Sequence, residues 1–314
     1  MSELKLITGN SNHPLAEKIA RYIGVELTAC ELRRFSDGEL FVQINENIRG
    51  ADVFIIQSTN PPAENILELL ILIEAARRAS ACRITAVIPY YGYARQDRKD
   101  QPRVAITSKL IANLITTAGA QRIITMDLHA SQIQGFFDIP HDHLYSTRVF
   151  KDYLDNIILD NSVIVSPDVG SIKMARAFAK AFNAGLAIVD KRRARPNHSE
   201  VLNVIGDVED KNVIIRDDMV DTAGTLCQAA QAVSDKGALD VMALCTHPVL
   251  SGKAIERINT SVISKVIVSD SIDVEEKYLP GKFQVLSCAK LFGEAIMRIS
   301  GEKSVSSLFD DLPM

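Results

Sequence analysis

The stretch Val213-Ile-Ile-Arg-Asp-Asp-Met-Val-Asp-Thr-Ala-Gly-Thr225 decides how the chain is read. An apolar run closes on two acids, passes through a short Thr/Gly turn and enters the Ala-rich segment Leu226 to Val233, which predicts strand, crevice loop and helix. In an open α/β sheet, ligands sit where strands end and helices begin, and the unpaired amides of the first helical turn can hold a phosphate there. Thr222 and Thr225 add hydroxyl donors, and Gly224 lets the backbone approach closely. Asp217 and Asp218 repel a phosphate but accept hydrogen bonds from vicinal hydroxyls. Diol acceptors beside an anion loop describe a sugar phosphate, and ribose 5-phosphate fits both halves.

An isolated Asp-Asp at a strand end is most often a helix cap or a solvated turn. The complete arrangement through Thr225 points to a ligand site instead. It resembles the phosphoribosyl pyrophosphate fingerprint shared by phosphoribosyltransferases and ribose-phosphate diphosphokinases.

A chain of 314 residues is long for one core, so two domains are expected. A hydrophobic content of 47% fits a filled globular interior, and a net charge of −4 argues against a general nucleic-acid or membrane-surface role. The five cysteines, Cys30, Cys82, Cys227, Cys245 and Cys288, stand singly, which indicates neither a disulfide framework nor a zinc site and suits a reducing cytoplasm. Met1 to Gly9 lacks a signal-peptide layout, and the apolar stretch Ile66 to Ile73 is too short to span a bilayer. A soluble, cytoplasmic protein is expected.

The chain also matches itself. Leu4-Lys-Leu-Ile-Thr-Gly9 aligns with Val163-Ile-Val-Ser-Pro-Asp168, Ala16 and Ala20 with Ala175 and Ala179, the strand at Val53 with that at Val213, and Pro89 with Pro248, all at nearly one shift. Each copy predicts a largely parallel sheet flanked by helices. The boundary is expected near Leu144 to Phe150, giving domains 1–146 and 147–314, with the tail 300–314 able to pack on the N-terminal domain. The second copy carries Asp168 and Asp221-Thr-Ala-Gly-Thr225 where the first has Gly9 and Pro61-Pro-Ala-Glu-Asn65. The first copy has an insertion of its own, Tyr90 to Arg103, rich in cations.

Neither the Gly-x-x-x-x-Gly-Lys-Ser/Thr phosphate loop nor Gly-x-Gly-x-x-Gly occurs. Other segments could serve a nucleotide. Arg34-Phe-Ser-Asp-Gly-Glu39 precedes the alternating strand Leu40 to Ile44, and alone it is an ordinary hairpin tip. As a site, Phe35 offers a stacking face while Asp37 or Glu39 accepts from an exocyclic amine such as that of adenine. Arg95-Gln-Asp-Arg-Lys99 carries guanidinium forks suited to a polyphosphate. Asp190-Lys-Arg-Arg-Ala-Arg-Pro-Asn197 follows the strand Leu186 to Val189 and is too basic and proline-broken to continue it. Such a run is usually a solvated loop; leaving the same strand-end face as Asp168 and Asp217, it could instead close over a phosphoryl group in transit. His129 and Asp168 follow apolar strands and could share a Mg²⁺ whose shell nucleotide phosphates complete. His141 and His143, beside Pro140, are assigned to a surface turn.

Taken together, Phe35-Ser-Asp-Gly-Glu39, Tyr93-Ala-Arg-Gln-Asp97, Asp127-Leu-His129, Ser166-Pro-Asp168, Asp190-Lys-Arg-Arg193 and Asp217 to Thr225 resemble the class I ribose-phosphate diphosphokinases over nearly the whole chain. The resemblance implies two phosphoribosyltransferase-type domains and transfer of the β,γ-diphosphoryl group of ATP to the 1-hydroxyl of ribose 5-phosphate. It implies that Phe35, Asp37, Gly38 and Glu39 take adenine and that Arg95 and Gln96 take the triphosphate. His129 and Asp168 would hold Mg²⁺, and Lys191 and Arg193 would stabilise the transferring group, Arg193 also contacting the sugar phosphate. Asp217 and Asp218 would take the ribose hydroxyls, with Asp221, Thr222, Ala223, Gly224 and Thr225 around the 5-phosphate. A hexamer built from dimers and a response to inorganic phosphate and ADP are further implications. Two positions depart from the pattern: Arg216 replaces a common apolar residue, and Asp100-Gln-Pro102 is an uncommon centre for the ATP loop.

A phosphoribosyltransferase would share the sugar-phosphate loop without needing Phe35 to Glu39, Arg95-Gln96 or the insertion. A non-catalytic regulatory homologue would be expected to lack Lys191, Arg193 or His129, and all three are present. A basic-loop nucleic-acid binder ranks last on the acidic total.

Overall fold

A computed structural model describes residues 2–155, 161–192, 201–274, 279 and 281–310. In chain order the elements are β1 (Leu4–Thr8), α1 (His13–Ile23), β2 (Cys30–Arg34), β3 (Leu40–Ile44), β4 (Asp52–Ile56), α2 (Glu64–Arg78), β5 (Arg83–Ile88), α3 (Thr107–Ala118), β6 (Arg122–Met126) and β7 (His141–Leu144). They continue with α4 (Thr147–Leu154), β8 (Ser162–Ser166), α5 (Ile172–Ala181), β9 (Gly185–Arg192), β10 (Val201–Ile205), β11 (Asn212–Val220), α6 (Gly224–Ser234), β12 (Asp240–Pro248), α7 (Ala254–Thr260), β13 (Lys265–Ser269), β14 (Phe283–Leu286) and α8 (Ala289–Ser300).

Two compact units result. The first comprises Met1–Ser146, Ser271–Asp273 and Ser287–Leu308, and the second Thr147–Asp270, Val274–Leu286 and Phe309–Met314. Residues 287–308, α8 included, therefore belong with the first unit, whereas the sequence assigned 147–314 to the second and allowed only the tail 300–314 to pack on the first. The reason is packing: Phe292 and Ile296 of α8 are buried, α8 lies against α1, and the Tyr22 hydroxyl donates to Glu294 at 2.6 Å. Gly293 permits the approach, because a Cβ there would run into the Tyr22 ring.

The first unit's sheet has the order β1-β4-β5-β6-β7, parallel throughout. All five residues of β4 are buried, as expected of a strand covered on both faces. Leu69, Leu72 and Ile73 of α2 and Ile111 and Ile115 of α3 join one core cluster with Val53 and Ile55; full burial of each such side chain contributes about 1.5–3 kcal/mol. Local signals agree with the elements: Asn12 accepts from the Leu15 amide to cap α1, and Gly24, at φ 83°, ends it in the left-handed conformation.

The second unit's sheet has the order β10-β9-β8-β11-β12-β13-β14, with only β9 and β10 antiparallel. Val213 and Ile215 of β11 face Leu226 and Val233 of α6 and Ile258 of α7, whereas Ile214 faces Phe150 of α4 and Phe178 of α5. The series β8-β11-β12-β13-β14 repeats β1-β4-β5-β6-β7 in order and direction, so the internal match of the sequence is a duplicated sheet. The copies differ at the hairpins: β9 and β10 extend their sheet, while β2 and β3 form a sheet of their own.

Candidate active site

In the second unit, the side chains expected to hold a sugar phosphate stand at the C-terminal ends of β8 and β11. These strands are direct neighbours, with Val213 beside Val163 and Ile215 beside Val165. The turn after β8 is fixed by its own polar groups: Ser166 Oγ donates to the Asp168 carbonyl at 2.7 Å, and the Ser171 amide donates to Asp168 Oδ1 at 2.9 Å. Ser171 Oγ donates to Asp217 Oδ1 at 2.8 Å, and the Asp218 amide donates to the same oxygen at 2.9 Å. One serine thus orients two of the expected site carboxylates. Burial, then the neighbouring Asp218 charge, pushes the Asp217 carboxyl well above the usual carboxylate range. A ligand that donates hydroxyls or brings positive charge relieves that crowding, so the pair is built to receive donors.

The loop beyond is shaped from outside. The Ser251 amide donates to the Asp221 carbonyl at 3.0 Å, Ser251 Oγ donates to the Asp221 carboxylate, and the Arg257 guanidinium donates to the Thr222 carbonyl at 2.8 Å. Ala223 takes φ 59°, and α6 opens at once, its first turn anchored by the Cys227 amide on the Ala223 carbonyl at 3.0 Å. Carbonyls in this loop are therefore engaged, while amides at a helix start have no helical acceptor, the polarity an anion needs. Thr222 and Thr225 are exposed, and Ala223 and Leu226 are buried beneath them.

In the first unit, the corresponding strand-end position is filled. Gln57 accepts from the Ser11 amide and hydroxyl at 3.1 and 2.7 Å and donates to Glu68 at 2.9 Å. Glu68, 4% exposed, also accepts from the Asn10 amide and side chain at 2.6 and 2.7 Å. A Cβ at Gly9 would collide with Gln57, so glycine is what this packing admits. Asn10, Arg33, Arg34, Glu64, Asn65 and Glu68 line a cleft of mixed charge beside this network.

The β2–β3 hairpin places Phe35, Asp37, Gly38 and Glu39 at its tip. The Phe35 amide donates to the Glu39 carbonyl at 2.9 Å, the Glu39 amide donates to Asp37 Oδ1 at 3.1 Å, and Gly38 takes φ 95°. Phe35 is 44% exposed, edge-on to Phe41 at 5.4 Å, with the Arg33 guanidinium 4.8 Å from its centre. Arg95 is exposed in the loop after β5. Gln96 is anchored at the start of α3: its carbonyl accepts from the Ser108 amide at 3.2 Å and its Oε1 from Thr107 Oγ1 at 2.6 Å. His129 is exposed beyond β6, and the buried Asp127 before it takes φ 39° while accepting from the Ser146 amide at 3.2 Å and from the Ser146 hydroxyl.

Two sequence readings change. Asp190, Lys191 and Arg192 continue β9, opposite Asn203, Leu202 and Val201, because antiparallel pairing with β10 outweighs their charge. Arg193 lies outside the described residues. His141 and His143 belong to strand β7, not to a turn, and both rings approach Thr125 Oγ1, at 2.8 and 3.3 Å. The roles of Ser171, Gln57 and Glu68 escaped sequence reading, since each arises from contacts between distant segments. Among the described residues no group of three or more His, Cys, Asp or Glu side chains is arranged to hold a metal. Asp168 offers a hard oxygen ligand held by an amide, a donor set that suits a Mg²⁺ carrying its own waters and phosphate oxygens.

Two duplicated parallel sheets, one retaining the acid pair and the Asp-Thr-Ala-Gly-Thr turn, define a two-unit phosphoribosyltransferase-type α/β protein. Family models for the N-terminal domain of ribose phosphate pyrophosphokinase and for the phosphoribosyl synthetase-associated domain match residues 4–119 and 192–310. The ribose-phosphate pyrophosphokinase of Chlorobaculum tepidum is 60% identical, covering 98% of this chain and 95% of its own, and that of Clostridium tetani is 55% identical over 98% and 97%. The crystal structure of phosphoribosylpyrophosphate synthetase from Mycobacterium smegmatis superposes with a TM-score of 0.90 at 38% identity, covering 96% of this chain and 99% of that one. The chain belongs to the ribose-phosphate pyrophosphokinase family. No helix among the described residues is long and apolar enough to cross a membrane.

Proposed function

We propose that the protein transfers the β,γ-diphosphoryl group of ATP to the 1-hydroxyl of ribose 5-phosphate, giving phosphoribosyl pyrophosphate and AMP. The observation that carries this reading is the junction of β8, β11 and α6, where the Asp217–Asp218 pair, tied through Ser171 to Asp168, meets the Asp221–Thr225 loop. The loop amides and the Thr222 and Thr225 hydroxyls hold the 5-phosphate. Asp217 and Asp218 accept from the ribose hydroxyls and so orient the 1-hydroxyl. Its oxygen attacks the β-phosphorus, the bond from that phosphorus to the α,β-bridging oxygen breaks, and AMP leaves with that oxygen. Positioning and charge neutralisation supply most of the catalysis of such a transfer.

Phe35, Asp37, Gly38 and Glu39 take the adenine, and Arg95 and Gln96 the polyphosphate. Lys191 and Arg193 balance charge on the migrating group. His129 and Asp168 would hold Mg²⁺, which would supply neutralisation of phosphate charge. The same reading includes a homohexamer, regulation by inorganic phosphate and ADP, and a cytoplasmic location for nucleotide biosynthesis. The test is direct: purified protein is incubated with Mg²⁺, ATP and ribose 5-phosphate, and the nucleotide released is identified. AMP supports the reading; ADP indicates an ordinary kinase and overturns it.

A further inference from the structure

Arg216 is 1% exposed and is the largest fully buried side chain among the described residues. It stands two positions before Asp218, on the same face of β11, and one before Asp217. Its Nη1 donates to the Asp217 carbonyl and, at 3.4 Å, to the Leu244 carbonyl, and its Nη2 donates to Thr246 Oγ1 at 2.9 Å. The guanidinium carbon lies 5.7 Å from the Phe150 ring centre and 5.4 Å from that of Phe178. One fork therefore joins the middle of β11 to β12, at Leu244 and Thr246, while two aromatic rings wall it from water. A cation in such a wall survives only with close polar partners and nearby negative charge. Two carboxylates in succession at an enclosed strand end have the complementary need, because their mutual repulsion grows as water is excluded.

We propose that Arg216 is a positioning residue for the Asp217–Asp218 pair, holding the strand end in register and keeping both carboxylates ready to accept the ribose hydroxyls. The proposal rests on the reading that these two carboxylates bind the sugar. Arg216 reaches the sugar only through them: its hydrogen bonds fix the Asp217 main chain and tie it to the Leu244 carbonyl and the Thr246 hydroxyl of β12. A small displacement of acceptor groups costs binding steeply, so losing the fork weakens sugar binding and leaves the nucleotide side untouched.

The test compares Arg216→Met, Arg216→Lys and Thr246→Val with the full-length parent protein, using calorimetric binding of ribose 5-phosphate and steady-state KM values for both substrates. Arg216→Met is expected to weaken ribose 5-phosphate binding by about tenfold while the KM for ATP stays within about twofold, and Arg216→Lys to recover most of the loss. Unchanged sugar binding in Arg216→Met, or equal losses for both substrates, overturns the proposal. If Arg216→Met does not fold, Thr246→Val and Arg216→Lys decide: sugar-selective weakening in Thr246→Val, milder in Arg216→Lys, supports the role, and equal effects on both substrates remove it. Asp217→Asn and Asp218→Asn are measured alongside. Normal sugar binding in both overturns the underlying site reading, whereas loss there with a normal Arg216→Met overturns only the role of Arg216.

Discussion

Ser171 Oγ lies 2.8 Å from Asp217 Oδ1, in the same turn whose Ser171 amide holds Asp168 at 2.9 Å. A hydroxyl bonded to a carboxylate contributes about 1.5–3 kcal/mol, so Ser171→Ala is expected to raise the KM for ribose 5-phosphate by roughly tenfold. The KM for ATP should stay within about twofold. Steady-state kinetics with each substrate varied in turn measures the split, and an equal rise in both would show that the serine merely supports the fold.

Gly92 sits where the loop carrying Arg95 and Gln96 leaves β5. Its amide donates to Thr59 Oγ1 at 2.7 Å, and a Cβ there would overlap the Thr59 carbonyl oxygen. Gly92→Ala must push the loop away from Thr59 and is expected to cost about 1–3 kcal/mol. Urea unfolding would register this as a lower midpoint at unchanged slope, and an unaltered midpoint would mean that the loop yields freely.

His141 supplies a pH signature. Burial, then the neighbouring His143, lowers its imidazole from the ordinary 6.5 to about 4. Below pH 6.5 the unfolded chain takes up a proton that the folded one refuses until about pH 4, so stability falls as the pH drops through that window. The loss amounts to as much as about 3 kcal/mol. His141→Phe lacks this term and should gain on the parent protein as unfolding is followed from pH 7 toward about pH 4. Parallel stability curves would show that the folded imidazole protonates as readily as the unfolded one.

Asp52, 5% exposed in its side chain, forms a two-pronged ion pair with Arg83, with Arg83 Nε at 2.8 Å. Arg83 also donates to the Ile299 carbonyl at the end of α8, at 3.1 Å. Removing the acid strands a half-buried guanidinium, so Asp52→Ala should cost about 2 kcal/mol, discounted because Arg83 is partly solvated. Calorimetric unfolding checks the value; no shift in Tm would show that water replaces the carboxylate at no cost.

Much of the fold could be read from local pattern. β11 announced itself as an apolar run ending in acids, and the repeat of that run relative to β4 exposed the duplication. What sequence missed was set by distant partners. Ser171 is one serine in a turn, and it becomes important only because β8 and β11 are neighbours. Arg216 stands out in the sequence only as a departure from a common apolar residue, and its setting appears once Phe150 and Phe178, from two other elements, enclose it. Lys191 and Arg192 look unfit for a strand until β10 supplies the pairing. Membership of α8 in the first unit depends on the complementarity of Gly293 and Tyr22, residues too far apart in the chain for any periodic signal to link them.

That return of α8 to the first unit bears on how the protein is made. The first unit is discontinuous along the chain: α8 must come back across the whole span that builds the second unit's sheet before it can cover α1. A premature stop shortly before Ala289 would therefore leave α1 and its Tyr22 without their covering helix.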